Sequence, residues 1–401
     1  MIKIGIRRNL FYPVMLITFI GLRKIVEILI FEFLKDIGKY ILPLLIFISK
    51  FIAGLIAMNA SKYIIKSNNR KALKGVKLIY SKTEAPKIDK DFKIIILIFF
   101  ASYFDIIGTM VRKYFNTFIS NKNFLEERLK SFQIITSALL CYFTIRIKIY
   151  WHNFFSLIII LICLVIIIII EMNDRRSELI HRIITIGITI FSGLGRAFLD
   201  TIEKYLFEFD NMNPFKIMMF EGLINTTLII GLFFFENGSI DEELKMFHNM
   251  SHIYIFILLI LYFIFSALKN IYRVATIKLY SPMTRALAET ILDPFIITYS
   301  LINDYYHLKD NNHHITWFFW FYYGINILLS IIMSFCSCVY NDFIVLYCCG
   351  LEYNTYLEVS KRSFDTEESF VLPIENSSSS SSDENEDEKD MELNAINNSR
   401  Y

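Results

Sequence analysis

The chain has 401 residues, of which 55% are hydrophobic, 16% are aromatic and 20% are charged. Average soluble domains hold about 45–50% apolar residues, so a soluble fold could not bury this many Ile, Leu and Phe side chains. We therefore expect a protein that crosses a membrane several times. The net charge of +2 gives no indication of nucleic-acid binding. The six cysteines have no C-x-x-C or zinc spacing, so no disulfide framework, metal site or cofactor is expected.

The predicted helices follow from long apolar runs. A helix needs about 20 mostly apolar residues to cross the hydrocarbon layer. Ten runs meet this condition, and counts of nine or eleven stay open because the first and sixth runs carry charges. The sequence thus predicts an all-α membrane protein with about ten transmembrane helices. The runs are Phe11–Phe31, Tyr40–Asn59, Phe92–Val111, Ser131–Ile149, Trp151–Ile170, Ile180–Leu199, Pro214–Phe235, His252–Ile271, Pro282–Ile302 and Ile315–Phe335.

The runs also indicate how the chain is organised. The end of the chain is rich in Ser and acidic residues and has little to bury, so it should be disordered. Its serines Ser377–Ser382 precede acidic residues, which is the context that acidophilic kinases use. The predicted parts are a cytosolic N-terminus at 1–10, a first five-helix half at 11–170, a second at 171–340, a cytosolic juxtamembrane segment at 341–362 and the tail at 363–401.

Loop charges and glycosylation acceptors indicate the orientation. Basic residues crowd the loop at 62–90, and basic loops favour the cytosolic side. Asn237 and Asn249 each begin an Asn-x-Ser sequence between the seventh and eighth runs, which makes them glycosylation candidates. We expect both termini in the cytosol and the loop at 236–251 in the lumen. The other interpretation of the two acceptors is chance, because the chain is rich in Asn and Ser.

Charges within the runs are the first candidates for function. An ionisable side chain at bilayer depth costs about 2.5–3.5 kcal/mol and usually faces a bundle interior or a cavity. Asp105 lies in the third run. It either binds solute or a proton, or hydrogen-bonds a neighbouring helix for packing. Glu221 lies early in the seventh run, and glutamate is too short to snorkel well.

The ninth run carries Arg285, Glu289 and Asp293 at i, i+4 and i+8, which places them on one helix face. They either line a cavity in which Arg285 attracts an anion, or Arg285 and Glu289 neutralise each other in a closed ion pair. Pro282 and Pro294 predict a kink in this run.

The sixth run ends with four charges that share or adjoin one face. Either they take part in a gate, or they snorkel to a cytosolic interface. They are Arg196, Asp200, Glu203 and Lys204.

Sequence motifs for catalysis are not found. The chain has no phosphate-cradling glycine loop and no recognisable pairing of a nucleophile with a base. His248 and His252 have the i, i+4 spacing of a helical metal site but no third ligand at a suitable spacing. We therefore expect no enzyme and no bound metal.

Four short motifs occur in the order found in a known family. The chain resembles the drug/metabolite transporter superfamily, and within it the nucleotide-sugar-transporter-like solute carriers, F branch. The resemblance covers about half of the chain, and Lys50 stands in the second run where that family has a glutamate. The motifs are Asp105-Ile-Ile-Gly108-Thr109, Ser131-Phe132-Gln133, the series Glu203-Lys204, Pro214 and Glu221-Gly222, and Asn270 followed by Ser281-Pro-Met-Thr284-Arg285.

The resemblance implies two five-helix repeats of inverted topology with solute bound near the midplane between them. It also implies a role for each candidate residue. The substrate-binding candidates are Asp105 as coupling or orienting carboxylate, Gln133 as hydrogen-bonding ligand, Arg285 as countercharge and Glu289; the gate or structural candidates are Glu203, Lys204 and Glu221.

The expected function is a secondary transporter for a small polar, anionic organic solute that is nucleotide-sugar-like or an organic acid. The alternative is a non-transporting membrane scaffold or trafficking protein with a regulatory acidic tail, because Tyr340-Asn-Asp-Phe343 has Tyr-x-x-bulky sorting spacing. Expected partners are the lipid bilayer and the solute, with a homodimer and kinases at Ser377–Ser382 as further candidates and no nucleic acid. The membrane is an endomembrane of Golgi, vacuole or lysosome type, or the plasma membrane.

Overall fold

The described part of the protein is helical apart from one short pair of strands. The glycosylation candidates Asn237 and Asn249, the histidine pair and the tail at 363–401 lie outside it. The computed structural model describes residues 2–4, 11–33, 41–72, 88–118, 131–146, 149–173, 179–208, 212–235, 253–310 and 317–346, with Leu129 and Thr355.

A helix lies at each of the ten apolar runs, and the ninth run forms two helices. A strand before the first helix pairs antiparallel with a strand after the last one. The elements are β1 (Ile2–Ile4), α1 (Phe11–Phe33), α2 (Ile41–Ala72), α3 (Ile88–Phe118), α4 (Phe132–Thr144), α5 (Trp151–Asn173), α6 (Leu179–Glu208), α7 (Pro214–Phe235), α8 (Ile253–Leu279), α9 (Pro282–Thr290), α10 (Asp293–Asp310), α11 (Trp317–Tyr340) and β2 (Ile344–Leu346).

Five of these helices, α2, α5, α7, α8 and α11, are long and apolar enough to cross a membrane. Large apolar side chains lie on the outside, as Leu161 and Ile162 do on α5, whereas charged side chains lie inside the bundle. This distribution is the reverse of that in a soluble protein, where charged residues are almost never buried. The chain is therefore a helical membrane protein, as its composition predicts.

Several helices differ in length from the prediction: α2 and α6 continue to Ala72 and Glu208, well past the predicted ends at Asn59 and Leu199. The fourth run was expected to continue to Ile149, but α4 ends at Thr144, and Arg146 takes a φ of 60° that no right-handed helix allows. With 13 residues α4 is about 20 Å long, well short of the hydrocarbon thickness. The eighth run was expected to end at Ile271, but α8 continues to Leu279.

The kink expected in the ninth run is present as a break. Ser281 caps α9, since its hydroxyl accepts a hydrogen bond from the backbone N–H of Thr284. The helix ends at Thr290, and α10 begins at Asp293, directly before Pro294. A proline ring clashes with the preceding turn of a helix, which explains the interruption. The expected stripe is consequently split, with Arg285 and Glu289 on α9 and Asp293 at the start of α10.

The helices pack in a set of recurring pairs. α2 packs against α7 and α8, and α3 packs against α6 and α7. α1 packs against α8 and α9. α4 contacts α5, α6 and α9, while α11 contacts α5, α9 and α10. Helices α2, α3, α6, α7, α8 and α9 thus surround the interior into which the charged residues point.

The backbones of α2 and α7 come into direct contact at two glycines. A Cβ on Gly54 would lie 2.7 Å from the backbone nitrogen of Met219, and a Cβ on Gly222 would lie 2.4 Å from that of Phe51. Real Cβ atoms do not approach backbone atoms this closely, so both positions require glycine. Small residues permit such close crossings in membrane bundles.

We expect Gly222→Ala to destabilise the protein by about 1–3 kcal/mol, because the added methyl group forces the two backbones apart. The matched control is Gly231→Ala in the same helix, where a Cβ would meet nothing within 4 Å. The measurement is the melting temperature of the detergent-purified protein. Equal melting temperatures for the two variants would show that the crossing is not tight.

Candidate functional site

Ten charged side chains from six helices meet inside the bundle, and we refer to them as the charge cluster. Seven are buried, and Asp105, Arg196 and Lys269 keep side-chain exposures of 16–18%. Five are cations and five are carboxylates, so their formal charges cancel. The cations are Lys50, Arg196, Lys269, Arg273 and Arg285, and the carboxylates are Asp105, Asp200, Glu203, Glu221 and Glu289.

At one end of the charge cluster, Lys50 of α2 holds two carboxylates. Its Nζ lies 2.9 Å from Oδ2 of Asp105 and 2.8 Å from Oε2 of Glu221. Asn225, one turn after Glu221 on α7, donates a second hydrogen bond of 3.0 Å to the same Asp105 oxygen. The close contact at Gly222 brings α2 and α7 near enough for Lys50 to reach Glu221. Lys50 therefore joins α2, α3 and α7.

The centre of the charge cluster is Arg273 of α8. Its guanidinium contacts Asp200 at 3.2 Å, forms a hydrogen bond with Glu203, and lies 3.6 Å from Glu221. Asp200 and Glu203 both have no exposed surface. Arg273 consequently connects the Lys50 end to the carboxylates of α6.

At the other end, Arg285 of α9 binds two carboxylates. Its Nη1 lies 2.7 Å from Oδ2 of Asp200, and its Nη2 lies 2.9 Å from Oε1 of Glu289. Gln133 of α4 donates a 2.9 Å hydrogen bond to the same Asp200 oxygen. Lys269 and Arg196 add contacts of 3.3 and 3.6 Å to Glu289.

Helical periodicity explains why these side chains meet. Residues four apart lie on the same helix face, and four helices contribute charged or polar pairs with that spacing. The pairs are Arg196 and Asp200 on α6, Glu221 and Asn225 on α7, Lys269 and Arg273 on α8, and Arg285 and Glu289 on α9.

The structure brings together six of the seven candidates named for substrate binding or gating. The exception is Lys204, whose Nζ donates to the carbonyl oxygens of Lys278 and Tyr280 at the end of α8 and also contacts Glu208. The snorkelling interpretation of the sixth run is wrong, because Asp200, Glu203 and Lys204 are buried. The closed ion pair of Arg285 with Glu289 does exist, but as one contact of a larger network.

Four residues of the site carry no sequence signal that assigns them a role: Lys50, Asn225, Lys269 and Arg273. Arg273 lies beyond the apolar run that ends at Ile271, although α8 itself continues to Leu279. Ser266, Lys269, Arg273 and Thr276 recur every three or four residues, and this polar stripe could have indicated a longer helix.

Comparison with known proteins adds no identification. No protein-family model matches the sequence, and no curated protein matches it.

We expect Lys50→Met to destabilise the protein by about 3–5 kcal/mol, because it leaves two carboxylates without their shared cation. Adding Asp105→Asn should recover part of the loss, since it restores the balance of charge. The control is Lys216→Met, which removes an exposed lysine of α7. The measurement is the melting temperature of each variant in detergent. If the double variant melts no higher than Lys50→Met, charge imbalance is not the cause of the destabilisation.

Proposed function

We propose that the protein is a secondary transporter that moves a small polar, anionic organic solute by alternating access. The observation that carries the proposal is the charge cluster, which joins helices from residues 11–170 to helices from residues 171–340. Intramembrane charges are expensive and mark solute or ion pathways in membrane proteins. Carriers bind solute near the midplane between two halves that rock against each other, which is where such a network would act.

The packing pairs support an arrangement of two equivalent halves. If α1 is exchanged with α6, α2 with α7, α3 with α8, α4 with α9 and α5 with α11, the most extensive contacts among these helices turn into other observed contacts or into themselves. α1–α8 becomes α6–α3, α2–α8 becomes α7–α3, α4–α6 becomes α9–α1, and α4–α5 becomes α9–α11. The contacts α2–α7, α5–α11 and α4–α9 map onto themselves.

Contacts between individual side chains also correspond under this exchange of helices. Phe104 of α3 stacks on Phe198 of α6 with ring centroids 5.4 Å apart, and Tyr272 of α8 stacks on Phe19 of α1 at the same distance. Gly54 faces Met219, and Gly222 faces Phe51, so each glycine lies against the residue three positions before the other. These correspondences, with the interrupted ninth run, favour the fold of the drug/metabolite transporters.

The pairing of β1 with β2 supports an even number of membrane crossings. β1 precedes α1 and β2 follows α11, and the two strands are hydrogen-bonded to each other. Both strands must then lie on the same side of the membrane, which favours ten crossings over nine or eleven.

The contacts suggest a role for each residue of the proposed site. Arg285 and Gln133 converge on one point, where an anionic group would be held. Asp105, with Lys50, orients the solute or carries a coupling proton. Glu203 and Glu221 contact Arg273 within the second half, and Glu221 also contacts Lys50 of the first half. The Lys50–Glu221 contact would hold the two halves together and would break and re-form as a gate.

The trafficking alternative loses one of its two supports, the Tyr-x-x-bulky motif, whereas the acidic tail lies outside the described residues. A sorting motif must be accessible, but Tyr340 ends α11 with only 7% of its surface exposed, and Asn341 is 6% exposed. Asn341 accepts a hydrogen bond from Thr284, so the segment is part of the packed bundle.

The first test concerns topology. In sealed vesicles with the cytosolic side outward, tags before Met1 and after Tyr401 should be digested together by added protease. A tag inserted in the loop at 236–251 should resist digestion until detergent is added. Protection of one terminal tag alone would contradict the even number of crossings.

The second test measures uptake into proteoliposomes, screened over nucleotides, nucleotide sugars and organic acids. For a solute that the parent transports, Asp105→Asn and Arg285→Lys should each lower uptake at least about tenfold, because losing a partner of a buried charge pair costs more than about 2 kcal/mol. Lysine keeps the charge of Arg285 but loses the planar fork that grips an oxyanion with two bonds.

The matched control is Glu171→Gln, which neutralises a buried carboxylate that accepts a hydrogen bond from Tyr322, away from the charge cluster. Its uptake should stay close to that of the parent. Normal uptake in both Asp105→Asn and Arg285→Lys would remove these residues from the transport site.

A further inference from the structure

The side chain of Asp200 is surrounded by donors that would equally suit a bound anion. Arg273 contacts Oδ1 at 3.2 Å, while Arg285 and Gln133 contact Oδ2 at 2.7 and 2.9 Å. The three donors come from α8, α9 and α4, so Asp200 of α6 is held by three other helices. We call this set of donors the anion seat.

The chemistry of the anion seat is that of an oxyanion site. Guanidinium groups hold carboxylate and phosphate with strong, directed hydrogen bonds, and a neutral amide adds a donor without adding charge. Asp200 shares the two arginines with Glu203 and Glu289, so it is one of three carboxylates that they bind.

Donors beside the anion seat are left unused. Within the described part of the chain, Nε of Arg285 and Nδ2 of Asn270 are buried and have no hydrogen-bond partner. Asn270 lies on α8, three residues before Arg273. Buried polar groups are nearly always hydrogen-bonded, so these two donors are available to a further acceptor. In the same cluster Oε2 of Glu203 and Oε1 of Glu221 are buried acceptors without a hydrogen bond from any described residue.

Asp200 has a cation available if it leaves the anion seat. Lys204 lies four residues further along α6, at the spacing at which an aspartate and a lysine pair on one helix. In the present arrangement the Lys204 ammonium contacts Glu208 and two carbonyl oxygens instead.

We propose that Asp200 is a built-in competitor of the solute: it occupies the anion seat in this conformation, and a carboxylate or phosphate group of the solute replaces it. This rests on the proposed function as an anion transporter and adds that α6 must carry Asp200 away before the solute is held. The two arginines then keep an anionic partner throughout the cycle, and the empty carrier does not expose them unpaired.

The test measures anion binding by the detergent-purified full chain, with inorganic phosphate and succinate as separate probes. If the state with Asp200 displaced is populated to about 0.1–10%, the parent binds correspondingly weakly, and Asp200→Asn should bind about 10- to 1,000-fold more tightly. Asp200→Glu keeps the charge and should gain nothing. Glu171→Gln should also gain nothing, and adding Arg285→Gln to Asp200→Asn should abolish the gain.

The two probes distinguish the chemical class of the solute. If Asp200→Asn gains more affinity for phosphate, the solute bears a phosphate group; if it gains more for succinate, the solute is an organic acid. If Asp200→Asn is too unstable to purify, phosphate or succinate present during extraction should restore its yield when chloride at equal ionic strength does not. Equal affinity of Asp200→Asn and the parent, or equal rescue by chloride, would overturn the proposal, while uptake by the parent in proteoliposomes would leave the transport function standing.

Discussion

Cancellation of charge inside the bundle is the constraint on which the rest of the structure depends. An isolated charge in a low-dielectric interior is strongly unfavourable, whereas paired and hydrogen-bonded charges are tolerated. The five cations and five carboxylates can all be paired only if the six helices that carry them keep fixed positions relative to one another. The glycine crossing of α2 and α7 follows from the same requirement, because Lys50 reaches Glu221 only where Gly222 lets the backbones touch.

Shared partners reconcile this network with movement. Glu221 contacts both Lys50 and Arg273, and Glu289 contacts Arg285, Lys269 and Arg196. A carboxylate with several cations in reach can lose one contact without being left as a bare charge. Removal of a whole partner is costly, but exchange between partners is not, and a transporter that alternates between two conformations needs this property.

The sequence predicts the helices well and the site in part. Long apolar runs report helix positions directly, and Asp105 and Glu221 stand out because each is a lone acid in such a run. Arg273 could not be recognised by the same rule, since charges near a run's end look like its boundary. The early end of α4 depends on the left-handed backbone at Arg146, which no residue type there indicates. Which charges pair across helices is a tertiary property, and periodicity within one helix does not contain it.

The two proposed halves carry charges of opposite sign at corresponding helices. In the first half, α2 contributes the cation Lys50 and α3 the carboxylate Asp105; in the second, α7 contributes the carboxylate Glu221 and α8 the cation Arg273. Asp105 and Arg273 each directly follow one of the two equivalent stacked rings. Identical charges would repel where α2 meets α7, whereas reversed signs give the alternating series Asp105, Lys50, Glu221, Arg273. In the proposed arrangement of two halves, charges of reversed sign at corresponding helices thus bind each half to itself and to its counterpart. Asp200 lies outside this alternating series, and it is the residue that we propose responds to the solute.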